Sequence, residues 1–298
     1  MRMAQRQRAS RREIVLSLAP VILILLLFRA YPIVTAFVKS FTNWDGLSRN
    51  DWVGAKNYVD LVSSGTFWLV LRNTLVLLIN VPLQVFVGLV VALLLYEQVK
   101  GWRVYRALVY TPQIISAVII GFLFRTLFSL NGPVNTVLAA IGLERIAIEW
   151  FGNAGTALGV LVFSIVWFSI GWQAIVILGG MSAIPPSVFE AAYLDGATYW
   201  QRAFKIVVPM LVRTLEFAVV ASGVWTLTQL FPFLYSMTKG GPGFDTTTLD
   251  YLIYLRSFGY GFGSNYGYAS AVAVILLALV LAFTAIEMRL ANRADDWS

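Results

Sequence analysis

The sequence predicts an all-α integral membrane protein with six transmembrane helices. Two observations carry that expectation. Of the 298 residues, 59% are hydrophobic and 12% charged, with mean hydropathy +0.76. Soluble domains carry about 25% charged residues, so half that share points to lipid as the solvent. The apolar residues also gather into six runs, of which the last five each supply the roughly 20 residues that cross a bilayer and the first does so with its continuation past Pro32.

The first run follows a basic start, Arg2, Arg6, Arg8, Arg11 and Arg12 against Glu13, and spans residues 14–28. A basic start and a short apolar core also describe a secretory signal peptide. Apolar character resumes after Pro32 as far as residue 38, and no A-x-A-like site follows the core. An uncleaved first span is therefore expected, with Arg29 snorkelling to the surface. A polar, aromatic-rich loop covers 39–67. Five further spans are expected at 69–95, 108–128, 157–178, 215–235 and 269–288. The chain thus divides into 1–68 (basic tail, first transmembrane helix and outer loop) and 69–298, a five-helix core that contains the polar segment 182–209.

Six spans put both termini on one side, and the basic residues say which. Beside the N-terminal arginines, that side holds Lys100, Arg103, Arg106, Arg202, Lys205, Arg213, Arg289 and Arg293. The opposite loops are longer and hold fewer. The positive-inside rule places both termini and the 182–214 segment in the cytoplasm. The net charge of +7 is distributed in the manner of a lipid-facing protein, so no nucleic-acid partner is expected.

The 187–209 segment carries helix punctuation although it is polar. Ser187 precedes Glu190 by three residues, and Thr198 precedes Gln201 by three. Each pair has the form of a capping box. Gly196 suits the left-handed residue that closes a helix, and Pro209 marks where a second helix cannot simply continue. Two short helices bent at Asp195-Gly196 are expected, forming a docking site rather than a tether.

Several spans hold polar or helix-breaking residues: Asn80, Pro82, Gln84, Pro112, Gln113, Ser164, Ser169 and Gln173. Most such groups serve interhelical hydrogen bonds. The fifth span differs, because Ser222, Trp225, Thr226 and Gln229 recur at i, i+3, i+4, i+7 and share one helical face. A polar-aromatic stripe inside a membrane helix suggests the wall of a hydrated path. The last outer loop, 236–268, is rich in glycine and tyrosine, which suits tight turns and interfacial anchoring.

The sequence has no cysteine and no histidine. Disulfides, thiolate or imidazole metal sites and His- or Cys-based catalysis are thereby excluded. It lacks the GxxxxGK[ST] phosphate loop, GxSxG, HExxH and EF-hand patterns, so no cofactor or metal is expected in this chain. The acids Glu216 and Glu287 lie at span ends, whereas a proton-driven carrier needs ionisable groups deep in the bundle. Energy for transport would come from another subunit.

The spacing Glu190-Ala191-Ala192, three residues, Gly196, nine residues, Ile206, one residue, Val208-Pro209 resembles the EAA signature of ABC importer inner-membrane subunits. Val208 stands where the family usually has leucine. The resemblance extends toward the carbohydrate branch at Tyr31-Pro32 with Ser40-Phe41, Val53-Gly54 with Asn57-Tyr58, and Asn73-Thr74. It continues at Gly132 with Asn135, Ile184-Pro185, and Gly240-Gly241-Pro242 followed by Thr247 and Tyr254. In length and first loop the chain resembles the maltose- and glycerol-3-phosphate-type first permease of a pair.

That resemblance implies the ABC importer type I permease (MetI-like) fold. It implies that Glu190, Ala191, Ala192, Asp195, Gly196, Ile206 and Pro209 form an ATPase-coupling element, with Glu190 also capping its own helix at Ser187. It places sugar contacts near Phe168, Ser169 and Trp172, and on Ser222, Trp225 and Thr226; Gln229 joins them through the helical stripe. Ile165 sits where the maltose-type subunit has a polar contact, which points away from maltose itself. The implied partners are a second homologous permease, an ATP-binding subunit dimer that holds ATP and Mg, an extracytoplasmic sugar-binding protein and membrane lipid. The expected function is the permease subunit of an importer for an oligosaccharide, polyol or sugar phosphate in the inner membrane of a prokaryote. The alternatives are a permease for an amino acid or phosphate, a secondary carrier, or a membrane enzyme.

Overall fold

The computed structural model describes residues 11–97, 100–259 and 264–295, with side chains placed between 15 and 290. Arg2, Arg6, Arg8 and residues 260–263 of the glycine- and tyrosine-rich loop lie outside the described residues. So do the side chains of Arg11, Arg12, Glu13 and Arg293.

The described residues are helical, with a single β-bridge between Thr42 and Trp52. The first span runs from α1 (Arg11–Leu25) through a π-turn (Leu26–Ala30) into α2 (Tyr31–Lys39). Pro32 falls in the first turn of α2, where its missing amide donor is tolerated. A short α3 (Lys56–Val62) precedes α4 (Gly65–Leu77) and α5 (Asn80–Tyr96), which together form the second span. The third is split into α6 (Trp102–Ile114) and α7 (Ala117–Leu127), followed by α8 (Pro133–Ala140). α9 (Ala154–Met181) is the fourth. The polar segment forms α10 (Pro186–Leu194), α11 (Tyr199–Arg202) and α12 (Val208–Met210), with a π-turn at Ala203–Val207. α13 (Val212–Thr228) and α14 (Phe231–Met237) make the fifth span, α15 (Leu249–Phe258) lies in the last loop, and α16 (Tyr266–Asp295) is the sixth.

Among the described residues four helical stretches are long and apolar enough to cross a membrane unbroken: Val15–Lys39, Gly65–Tyr96, Ala154–Met181 and Tyr266–Leu290. Six spans result when each bent pair counts as one. The bends correct the expectation of continuous third and fifth spans. α6 and α7 meet at 99°, and α13 and α14 at 50°. Pro112 removes a backbone donor within α6, and Ile115 and Ser116 beyond it are extended. Pro232 opens α14, where its ring geometry suits a helix start.

A helix break at membrane depth exposes backbone groups that must find partners inside the protein. At the second bend the partner is Asp250 of α15, whose Oδ2 accepts the Phe231 amide at 2.7 Å. Burial pushes the Asp250 carboxyl up, against hydrogen bonds from the Thr248 hydroxyl and the Tyr251 and Phe231 amides.

Glycines allow the helices of the core to approach closely. A methyl group on Gly88 of α5 would lie 2.3 Å from Gln173 Cβ on α9. One on Gly171 would lie 2.8 Å from the Tyr110 backbone on α6, and one on Gly121 of α7 would overlap the Ser236 hydroxyl on α14. Small residues at contacts are how membrane helices gain packing where lipid is as apolar as leucine.

The outer loops are stapled by amides and hydroxyls. Asn57 Nδ2 donates to the Ser40 and Thr42 carbonyls, both at 2.8 Å. Asn73 Nδ2 donates to the Phe244 and Thr247 carbonyls at 3.0 and 3.1 Å, and the Leu249 amide donates to Thr74 Oγ1 at 3.0 Å. Asn135 Nδ2 bonds the Leu130 and Ile148 carbonyls, both at 2.9 Å.

The Gly88 contact yields a contrast within one helix pair. Gly88→Ala should destabilise the fold by about 1–3 kcal/mol through overpacking. Gly159→Ala on α9 points into open space and should leave the detergent-solubilised midpoint of thermal unfolding unchanged or slightly higher. Equal midpoints for the two variants would contradict the packing.

Candidate functional site

Four helices converge on an intramembrane cavity of about 190 Å³. α5 contributes Gln84, α6 Gln113, α9 Phe168, Ser169 and Trp172, and α13 Ala221, Ser222 and Trp225. Gln113 lies just before the break between α6 and α7, and Trp225 one turn before the break between α13 and α14. Both bent spans therefore meet the cavity beside their bends, where irregular backbone at membrane depth is tolerated.

One side of the cavity is aromatic. The Phe168 and Trp225 rings stack with centroids 6.0 Å apart, and both pack edge-on against Phe233, at 5.4 and 6.2 Å. Such pairs hold their rings in fixed orientations. The other side is lined by amides and hydroxyls. Gln113 Oε1 is buried and has no hydrogen-bond partner. It is an acceptor whose complement is a hydroxyl or amide donor.

Beneath the cavity a hydrogen-bonded layer joins three helices. Asn80 Nδ2 donates to the Leu77 carbonyl, while its Oδ1 accepts from Gln84 Nε2 at 2.8 Å and from Thr226 Oγ1 at 3.1 Å. Gln173 Nε2 donates to Ser222 Oγ, which donates in turn to the Ala218 carbonyl at 2.6 Å. Gln173, fully buried, thus touches α5 through Gly88 and α13 through Ser222.

Of the residues expected on the path, Phe168, Ser169, Trp172, Ser222 and Trp225 are brought together on the cavity. Thr226 and Gln229 are not. Thr226 is buried toward α5, its hydroxyl committed to Asn80. Gln229 falls beyond the last residue of α13 and is exposed. Gln84 and Gln113 stand out in the sequence as polar residues within spans, but helical spacing on one span does not assign them to the wall. Their placement depends on the meeting of α5 and α6 with α9.

The second candidate region is the bent α10–α12 element. Gly196 has φ +72°, the left-handed conformation that glycine adopts without strain. Its amide donates to the Tyr193 carbonyl at 3.1 Å and the Ala197 amide to the Ala192 carbonyl at 3.0 Å. Those two bonds close α10 in a Schellman motif. Thr198 then opens α11 with a complete capping box: Gln201 Oε1 accepts the Thr198 amide at 2.8 Å, and Thr198 Oγ1 accepts the Gln201 amide at 3.4 Å.

Two expectations for this element are corrected. α10 begins at Pro186 and lacks a side-chain cap, so Ser187 and Glu190 form no capping box and Glu190 is exposed. The Pro185-Pro186 pair sets the helix start through its fixed φ instead. Nor does Pro209 stop the second helix. The π-turn before it passes the chain into α12, and the break comes at Leu211.

The element rests on a core of Leu89, Leu93, Ile177, Met181, Val207 and Leu211, and Ala192 is buried as well. Its other face is uncovered: Glu190, Ala191, Asp195 and Pro209 are exposed, Ile206 is half-buried, and Leu194 is 85% exposed beside Tyr193 and Trp200.

A family model described as the binding-protein-dependent transport system inner membrane component matches residues 84–295. The chain is 32% identical over 249 residues to the lactose transport system permease protein of Rhizobium radiobacter, covering 82% of this chain and 83% of that one. It is 29% identical over 281 residues to the trehalose/maltose transport system permease protein of Thermococcus litoralis, covering 92% of each. Among solved structures, it matches a chain of a bacterial alginate ABC transporter in complex with an alginate pentasaccharide-bound periplasmic protein. The TM-score is 0.81 at 25% identity, covering 95% of this chain and 96% of that chain.

The Gln173–Ser222 bond admits a direct test. Ser222→Ala should destabilise by about 1–3 kcal/mol, because it leaves the Gln173 amide buried without its acceptor. A double-mutant cycle with Gln173→Met, read by unfolding in mixed micelles, should return a coupling energy of about 1 kcal/mol. A coupling energy near zero would remove the bond from the account.

Proposed function

This chain belongs to the family of binding-protein-dependent transport system inner membrane components, and from that premise we propose that it is the membrane-spanning permease subunit through which an ATP-driven importer moves a sugar. The observation that carries the sugar is the cavity itself. A sugar ring has apolar C–H faces and hydroxyl edges. The stacked Phe168 and Trp225 rings suit the faces, while Ser169, Gln84 and the unpartnered Gln113 Oε1 suit the edges, with Ser222 on the wall but its hydroxyl committed to Gln173 and Ala218. Among the described residues no ionisable side chain lines the cavity, which disfavours an amino acid, whose two charges need partners. The sugar-transport relatives and the alginate importer chain support the same reading.

The chain supplies the path and no catalytic step. The power stroke belongs to ATP-binding subunits that hold ATP and Mg, and the α10–α12 element is the surface they grip. An apolar tip such as Leu194, Tyr193 and Trp200 outside the spans needs a protein cover, and Glu190 and Asp195 at its rim would pair with basic groups. A second homologous permease completes the path, and an extracytoplasmic binding protein delivers the sugar. Both termini then lie in the cytoplasm, with the membrane being the inner membrane of a prokaryotic cell.

The test is ATP hydrolysis by the assembled complex in lipid nanodiscs, with the binding protein loaded from a panel of sugars, polyols and amino acids. A sugar should stimulate hydrolysis, and Trp225→Ala should cut that stimulation about tenfold or more, equivalent to about 1.4 kcal/mol or more of lost interaction. Stimulation by an amino acid alone, or full stimulation in Trp225→Ala, would overturn the sugar reading.

A further inference from the structure

Arg202, the last residue of α11, reaches three parts of the structure at once. Its Nη1 donates to the Ala197 carbonyl at 3.1 Å, inside the bend that Gly196 makes. Its guanidinium lies 5.8 Å from the ring centre of Tyr193 on α10. Its Nη2 is 3.6 Å from Oε1 of Glu97, the residue that follows the last of α5 and caps it. Helix caps account for the shape of the bent element, but none of them fastens it to a membrane span. Apolar packing seats it on α5 and α9, and the Arg202–Glu97 pair is its charged tie to the end of α5.

An isolated surface ion pair contributes little. Here the fork of one arginine is shared among a carboxylate, a carbonyl and an aromatic face, a combination that a lysine ammonium cannot reproduce. Tyr199 packs against the pair, and its buried hydroxyl has no hydrogen-bond partner. Burial raises the pKa of that hydroxyl, the Glu97 charge raises it further, and the Arg202 charge opposes them.

The far end of the same helix is the cavity. α5 runs without a break from Asn80 to Tyr96, and it carries Gln84 on the cavity wall and Gly88 against Gln173. From Gln84 to Glu97 is about 20 Å at 1.5 Å per residue. A continuous helix fastened at one end and packed without slack at the other moves as a rod rather than deforming.

We infer that Arg202 is a positioning residue: it locks the bend of the α10–α12 element to the end of α5, so that displacement of the element by a partner is carried along α5 to the cavity wall. The inference rests on the permease reading above, and it needs no knowledge of which sugar is moved.

The sequence has no cysteine, so Ala221→Cys places one thiol of this chain on the cavity wall. The experiment follows maleimide labelling of that thiol in the assembled complex, with and without ATP and vanadate. With Arg202 and Glu97 intact, nucleotide should change the labelling rate by about fivefold or more. Arg202→Gln and Glu97→Gln should each reduce the change to less than about twofold. Arg202→Lys, which keeps the charge without the fork, should restore about half, and exchanging the charges (Glu97→Arg with Arg202→Glu) should recover no more than that but a measurable part. Retention of the ATPase is scored on the same samples. A full nucleotide response in Arg202→Gln overturns the inference. So does loss of the ATPase from both single variants without recovery in the exchanged pair, because Arg202 would then serve assembly. No nucleotide response with both residues intact would instead sink the permease reading on which the inference rests.

Discussion

Gln173 is the residue on which the architecture turns. Its Cβ occupies the notch left by Gly88, so α5 and α9 lie nearly backbone to backbone, and its amide reaches Ser222 on α13. Within a bilayer a buried amide has no water to fall back on, and its partner must come from another helix. That requirement fixes the rotation of α13 about its own axis. The same rotation turns Ser222 and Trp225 toward the cavity and Thr226 toward Asn80. The cavity is thus bounded by a layer whose hydrogen bonds hold three helices in register, and its shape follows from a packing contact rather than from the residues that face it.

The bent spans add the second constraint. A straight helix offers a cavity only side chains, whereas a broken one also brings irregular backbone and a change of direction. Pro112 and Pro232 make the breaks possible, and at the second break Asp250 makes it stable by accepting the Phe231 amide. Helices that bend beside a cavity are suited to gating, since a small rotation at a bend displaces the wall without unpacking the core.

Much of this was legible in the sequence, for reasons that differ from residue to residue. The six runs were legible because span length is set by bilayer thickness. The Thr198–Gln201 box and Gly196 were legible because caps are local chemistry, complete within four residues. Ser187 and Glu190 misled because the Pro185-Pro186 pair beside them starts the helix by geometry instead. Periodicity placed Ser222 and Trp225 on one face but could not say that Thr226, on the edge of that face, meets α5, nor that α13 ends before Gln229. It was also blind to the 99° bend, because spacing reports which face a residue occupies and not where the helix axis points. Gln84 and Gln113 reach the cavity only through that tertiary arrangement. Four of the residues that resemble the carbohydrate branch prove to be staples. Asn57, Asn73, Thr74 and Asn135 each bond backbone across a loop, a task that specifies the residue type closely.

This chain forms a sugar path whose opening is driven from outside itself by ATP. The most direct measurement is uptake of radiolabelled sugar into proteoliposomes holding the permease pair, the ATPase and the binding protein, with ATP on the ATPase side. Accumulation against a gradient that requires both hydrolysable ATP and the binding protein is expected. Uptake that continues without ATP, driven by an ion gradient or by this chain alone, would contradict it.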